Sequence, residues 1–210
     1  MSREYLPKEE AIFQAVMELF EEGADLNSLT VAEITGRAGI GKGTAYEYFS
    51  DKEEMIVKAL FYNGEKFIQH IYEGMSREKN LSDKIDFVLL TMEQQASKTH
   101  CIFHLLHMLS DNSMISRRIK ELLDKKSLSG ETLGVDIIGR ILHDEFPDEA
   151  ALSPDKTVYL VMSVYSKILC FGMLLNDGIY KQAVDKDTMR IMVRQGICRE
   201  IEEIFSLSLA

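Results

Sequence analysis

The run from Thr30 to Lys52, TVAEITGRAGIGKGTAYEYFSDK, leaves its backbone few choices. Thr30 followed three residues later by Glu33 is a capping box, which predicts a helix beginning at Val31. Val31, Ile34 and Ala38 then share one face at i, i+3, i+7 spacing. Gly39 stops that helix, because glycine accepts positive φ without a Cβ penalty. Gly41 can serve as N-cap of a second helix, roughly Lys42 to Phe49, which turns Ala45 and Phe49 inward. Gly43, Thr44 and Glu47 fall opposite that pair, with Tyr46 and Tyr48 on the flanks. Ser50 with Glu53 forms another capping box, which opens the next helix at once. Two short helices around a glycine corner make a helix-turn-helix, whose second helix has the dimensions to enter a major groove.

The longer run TVAEITGRAGIGKGTAYEYFSDKEEM resembles the DNA-binding signature of the tetracycline-repressor (TetR/AcrR) family of bacterial transcription regulators, at nearly every position from Thr30 to Met55. A preceding helix ending in Phe20 and Gly23 fits the same pattern, whereas beyond residue 75 the resemblance is one of architecture. It implies an all-α chain in two parts. Residues 1–55 would form a three-helix DNA-binding domain, and residues 56–210 a helical domain for ligand binding and dimerisation. Three positions depart from the pattern. Gly36 lies inside the first helix of the motif, where glycine costs ~1 kcal/mol, and Gly41 stands where the family often has a serine cap. Glu47 places an acid on the exposed face of the reading helix. A carboxylate there repels phosphate but can accept from cytosine N4, and the residues alone leave both readings open.

At 210 residues, with 46% hydrophobic residues and three prolines, the chain can bury a substantial helical core. Its net charge of -10 argues against nucleic acid, and residues 1–55 themselves carry 5 Lys/Arg against 12 Asp/Glu. The motif answers this by geometry: Lys42, Lys52 and two helix N-termini can face phosphate while Glu9, Glu10, Glu18, Glu21 and Glu22 stay on the far side. Cys101, Cys170 and Cys198 are far apart and show no metal-finger spacing, which fits a reduced cytoplasmic setting, as does the absence of an apolar leader segment. Val158 to Leu175 is strongly apolar, but Ser163, Ser166 and Lys167 interrupt it, so a buried packing helix is expected rather than a membrane span.

Elsewhere the periodicity predicts helices over Pro7–Glu22, Asp51–Met75, Leu81–Ser97, His100–Leu109 and Arg117–Lys126, and one ending near Phe146. Ile12, Phe13, Val16, Leu19 and Phe20 form the apolar stripe of the first; Ile56, Leu60, Phe67 and Ile71 form that of the second. The last two helices, 153–175 and 185–206, are apolar on more than one side. In the former, Val158, Val161, Tyr165, Ile168 and Gly172 form one set and Met162, Leu169 and Met173 another; in the latter, Met189, Val193, Gly196, Ile197 and Ile204 repeat the pattern. A surplus apolar face needs a second surface, and the resemblance implies a homodimer through these two helices.

The residues expected at DNA are Thr30, Lys42, Gly43, Thr44, Tyr46, Glu47, Tyr48 and Lys52. By resemblance, Thr44 and Tyr46 match family positions that bind phosphate oxygens, and Lys52 matches the family's backbone-contacting lysine. A plainer reading of Tyr46 and Tyr48 is that they pack the small domain. His100, Cys101, His104 and His107 have spacings at which three imidazoles can share a helix face, so a metal- or haem-sensing regulator stands as the alternative. The expectation nonetheless is no metal and no cofactor. Eleven methionines and many aromatics suit an adaptable apolar cavity, for which Phe67, Ile71, Met92, His104, His107, Met108 and Tyr165 are the candidate lining residues. No Ser/His/Asp set, phosphate loop or nucleophile elbow is present, and a helical enzyme or an interaction module that retains the motif unused is the remaining class. The reading is therefore a non-enzymatic, ligand-responsive DNA-binding regulator. It would be a repressor released from a palindromic double-stranded operator by a small, apolar effector, with no membrane partner.

Overall fold

Pro7 fixes φ and lacks an N–H just where a helix needs neither freedom nor donor, and α1 (Pro7–Glu21) begins there. The Glu9 carboxylate accepts the Leu6 N–H at 2.9 Å and closes the helix start. Glu9 is consequently buried, contrary to the expectation that it lies among the solvated acids. The computed structural model describes residues 5–94, 114–128, 145–146, 152–176 and 184–206, and it is all helical over them, without a strand. After α1 come α2 (Val31–Ala38), α3 (Lys42–Tyr48), α4 (Lys52–Met75), α5 (Leu81–Gln94), α6 (Met114–Leu128), α7 (Pro154–Asn176) and α8 (Lys186–Ser206). The predicted segment His100–Leu109 and most of the one ending near Phe146 lie outside the described residues.

The helices belong to two compact units, with α4 contributing residues to both. The first is built on residues 5–67 and α6. Its core gathers Ile12, Phe13, Val16 and Phe20 of α1, Leu26 and Leu29 of the following loop, Ile34 of α2, Ala45 of α3 and Phe49. Phe13 meets Phe49 edge-on at 5.8 Å and Tyr62 at 5.0 Å between ring centroids. Burying a ring such as Phe49 contributes roughly 1.5–3 kcal/mol, so this aromatic pair anchors the short α3, which is too brief to be stable alone.

The second unit holds residues 68–94, 145–146, α7 and α8. Here α5, α7 and α8 pack on one another. Arg190 and Arg194 of α8 reach Asp86 and Glu93 of α5 at 3.1–3.6 Å. Lys167 of α7 pairs with Glu200 of α8, and Ser163 donates to the same carboxylate at 2.7 Å. The ends of α4 and α5 approach closely, since a Cβ added to Gly74 would lie 1.9 Å from the Phe87 ring.

The inward phase of α7 differs from both sets read from the sequence. Leu160, Val164, Phe171 and Gly172 are buried, while Val158 and Met162 stand exposed with Tyr159 beside them, Met162 at 65%. On α8 the buried line is Ile197, Ile201 and Phe205, and Ile191 and Met192 face out. A helix that is apolar on all sides carries no periodic mark of which side is covered, so the surplus was legible and its phase was not.

Candidate nucleic-acid interface

The first helix of the motif is built as its local chemistry dictates. Thr30 has extended backbone, its hydroxyl oxygen accepts the Glu33 N–H at 3.3 Å, and Glu33 accepts the Thr30 N–H at 2.8 Å and its O–H at 2.6 Å. Those hydrogen bonds hold the Glu33 carboxyl below its ordinary value. Gly39 takes the left-handed conformation with φ 66°, as expected for the corner. Arg37 locks α2 against the end of α1 through a two-pronged pair with Glu22, both N–O distances being 2.7 Å, with Glu18 at 3.5 Å. This fork lowers the Glu22 carboxyl and raises Arg37. Sequence reasoning passed over it, because the partners are 15 residues apart.

The reading helix α3 then offers a defined face. Ala45 and the C-cap Phe49 are buried as predicted, whereas Lys42, Gly43, Tyr46 and Glu47 are exposed and Thr44 and Tyr48 half-buried. Tyr46 is 53% exposed, so its side chain is open to solvent rather than packed into the core. Lys42, Gly43, Thr44, Tyr46, Glu47 and Tyr48 thus share one seven-residue helix. Thr30 and Lys52 sit at the heads of the flanking helices, and their polar atoms are already engaged. The Thr30 hydroxyl serves its capping box, and Lys52 Nζ donates to the Asn27 carbonyl at 2.8 Å with Glu53 at 3.8 Å.

The next helix starts with a correction. Its N-cap is Asp51, not Ser50, and the box closes with Glu54, not Glu53. The Glu54 N–H donates to Asp51 Oδ1 at 2.7 Å, while Glu54 Oε2 accepts the Ser50 N–H at 2.6 Å and its hydroxyl at 2.8 Å. An ionised carboxylate accepts more strongly than a hydroxyl, and the shift by one residue leaves Glu53 free to meet Lys52. Burial pushes the Glu54 carboxyl up, but Lys58 and the Ser50 donors outweigh it and bring the pKa down to about 2. The other oxygen of Asp51 accepts from Arg118 of α6 at 2.7 Å. Arg118 lies 67 residues from Asp51 along the chain, and only the fold brings α6 to the head of α4.

Of the candidate ligand-lining residues, Phe67, Ile71 and Met92 are buried and Tyr165 is half-buried. His104, His107 and Met108 lie outside the described residues, as do His100 and Cys101 of the metal-like cluster. None of the described helices is long and apolar enough to cross a membrane.

Comparison with known proteins agrees with this geometry. Residues 12–59 match the model of the bacterial regulatory proteins, tetR family. No curated protein sequence matches the chain. Solved structures similar in fold include a transcriptional regulator FadR from Bacillus subtilis in complex with stearoyl-CoA, 18% identical over 90% of this chain and 96% of that one, with a TM-score of 0.63. A putative TetR-family transcriptional regulator from Rhodococcus sp. is 14% identical over 93% of this chain and 100% of its own, with a TM-score of 0.67. GusR from Salmonella enterica is 14% identical over 95% of this chain and 98% of its own, also with a TM-score of 0.67. Likenesses at such identity establish the fold, and the family match covers the helices that carry the corner and the reading face. Residues 12–59 thus carry the helix-turn-helix DNA-binding domain of the bacterial regulatory proteins, tetR family, and the chain shares its all-helical fold with these solved structures.

Proposed function

We propose that the chain is a repressor that binds a palindromic operator as a homodimer and is released from it by a small, mostly apolar molecule. The observation that carries the DNA part is the exposed face of α3, where Lys42, Gly43 and Tyr46 stand outward on a helix held by a buried Ala45–Phe49 edge. In this reading residues 1–55 are the DNA-binding domain, with Tyr46 and Thr44 taking phosphate oxygens and Lys42 a phosphate or a guanine edge. Lys52 joins the backbone contacts by exchanging the Asn27 carbonyl for a phosphate. Residues 56–210 bind the effector and dimerise, and such a regulator works in the cytoplasm, where its DNA is.

One reading helix per chain contacts one half-site, so a palindrome requires two chains. The exposed Val158, Tyr159 and Met162 of α7 with Ile191 and Met192 of α8 support a pairing surface on these two helices. Stearoyl-CoA in the Bacillus subtilis FadR supports an effector with a long apolar part. The test is a gel shift with DNA flanking the protein's own gene, run beside sedimentation of the same protein. A shifted palindrome bound by a dimer agrees with the reading. A monomer that binds with undiminished affinity, or a failure to shift any genomic fragment, overturns it.

A further inference from the structure

Glu47 is the one acid on the presented face of α3, and its surroundings set it apart from the rest of the unit. Nearly every described carboxylate of residues 5–67 has a partner: Glu10 has Tyr62, Glu22 has Arg37, Glu33 has Thr30, Asp51 has Arg118 and Glu54 has Lys58. Among the described residues Glu47 has none, a state it shares only with Glu21 on the last turn of α1. Its neighbours one turn away, Gly43, Thr44, Ser50 and Asp51, include no cation. Bringing such a charge against a duplex is unfavourable unless the groove supplies a donor.

Gly43 points the same way by a separate observation. It lies one turn before Glu47 on the same face, has ordinary helical φ, and a Cβ added there would meet nothing within 4 Å. With no side chain at Gly43, this face leaves room for a groove edge to come close to the backbone, within the short reach of Glu47.

We propose that Glu47 is a specificity-determining residue that accepts a hydrogen bond from the N4 amino group of a cytosine in the major groove. The inference rests on the DNA-binding reading above and names what that face selects. An ionised carboxylate only accepts, and the groove edges offer two donors, cytosine N4 and adenine N6. Adenine N6 is flanked by acceptors on both sides, N7 of its own ring and O4 of the paired thymine. Cytosine N4 has an acceptor on one side only and a C–H on the other, so it repels the second carboxylate oxygen less.

The experiment selects binding sites for the full-length protein from duplexes of random sequence, then repeats the titration with pyrimidin-2-one, which lacks N4, replacing each required cytosine in turn. The wild type is expected to lose about 5- to 150-fold at one symmetry-related position, the range for a lost base contact. Glu47→Ala is expected to bind the selected site less tightly and to be indifferent to that replacement. Glu47→Gln keeps the side-chain shape and should shift the preference there towards adenine, and thermal melts of both variants check that the fold persists. Variants that bind every sequence more tightly by one common factor, or that lose as much as the wild type on removing the amine, overturn the proposal. A wild type that selects no sequence overturns the DNA-binding reading itself, which separates the two failures.

Discussion

Tyr46 and Lys52 are both proposed to meet the operator, yet the structure separates what their loss should do. Tyr46 is exposed and holds no partner among the described residues, so Tyr46→Phe should leave the melting temperature unchanged. It should weaken operator binding by about 1.5–3 kcal/mol if the hydroxyl donates to a charged phosphate oxygen. Lys52 ties the Asn27 carbonyl to the head of α4. Lys52→Ala should therefore lower stability by roughly 1 kcal/mol in urea unfolding and also flatten the slope of log affinity against log salt. An unchanged salt slope would confine Lys52 to the structural role. Glu54 gives the acid limb of the same junction. Its folded pKa of about 2 lies below the ordinary 4.5, so its stabilisation is complete above about pH 5 and is lost as pH falls towards 2. Glu54→Gln should narrow the difference between urea midpoints at pH 7 and pH 3.5; an undiminished difference would place the acid sensitivity elsewhere. The Asp51–Glu54 box was legible in the sequence, since Asp-x-x-Glu lies one residue along from the Ser50–Glu53 pair that was read instead. Two overlapping boxes cannot be ranked by spacing, and the stronger acceptor decided it.

At the scale of elements, legibility followed the range of the forces involved. The helix-turn-helix was readable because a capping box, a left-handed glycine and an inward Ala45–Phe49 edge are all local marks, and the ends of α2, α4, α7 and α8 fall within a residue or two of expectation. What escaped was tertiary: Arg37 on Glu22, Arg118 on Asp51 across 67 residues, and the α7 phase set by Leu160, Val164 and Phe171. Gly74 escaped for the same reason, because nothing next to it in the chain announces the Phe87 ring. Two effects oppose each other at this glycine. Alanine would gain up to ~1 kcal/mol of helix propensity, while forcing the ring aside costs roughly 1–3 kcal/mol. Overpacking should win, so Gly74→Ala is expected to lower stability by about 1–2 kcal/mol, and Gly74→Ala with Phe87→Leu should recover most of it. A Gly74→Ala variant as stable as the wild type would mean that the α4 and α5 ends give way freely.

For the whole molecule, the proposed function requires that an effector bound by residues 56–210 release DNA held by residues 1–55. Helix α4 is continuous from Lys52 to Met75, and its N-cap Asp51 lies two residues beyond Phe49, the C-cap of the reading helix. Buried Met55, Ile56 and Ala59 fix its first turns in the same unit as α3, and buried Ile71 and Met75 belong to the other. In the proposed reading, a helix shared in this way would carry a change near Ile71 to Tyr46, provided the effector favours one arrangement over the other. An effector acts only through that difference in affinity: a hundredfold loss of operator binding requires about 2.8 kcal/mol of coupling. Linkage then makes the effect reciprocal, so saturating operator should weaken effector binding by the same hundredfold. The measurement is a calorimetric titration of an identified effector into the protein, with and without operator duplex. A disruptive helix-breaking pair at exposed positions in the second half of α4, such as Gln69→Gly with His70→Gly, should lower both coupling factors together, since each traverses the same helix. Equal effector affinities with and without operator would leave α4 no part in release, whatever the strength of DNA binding itself.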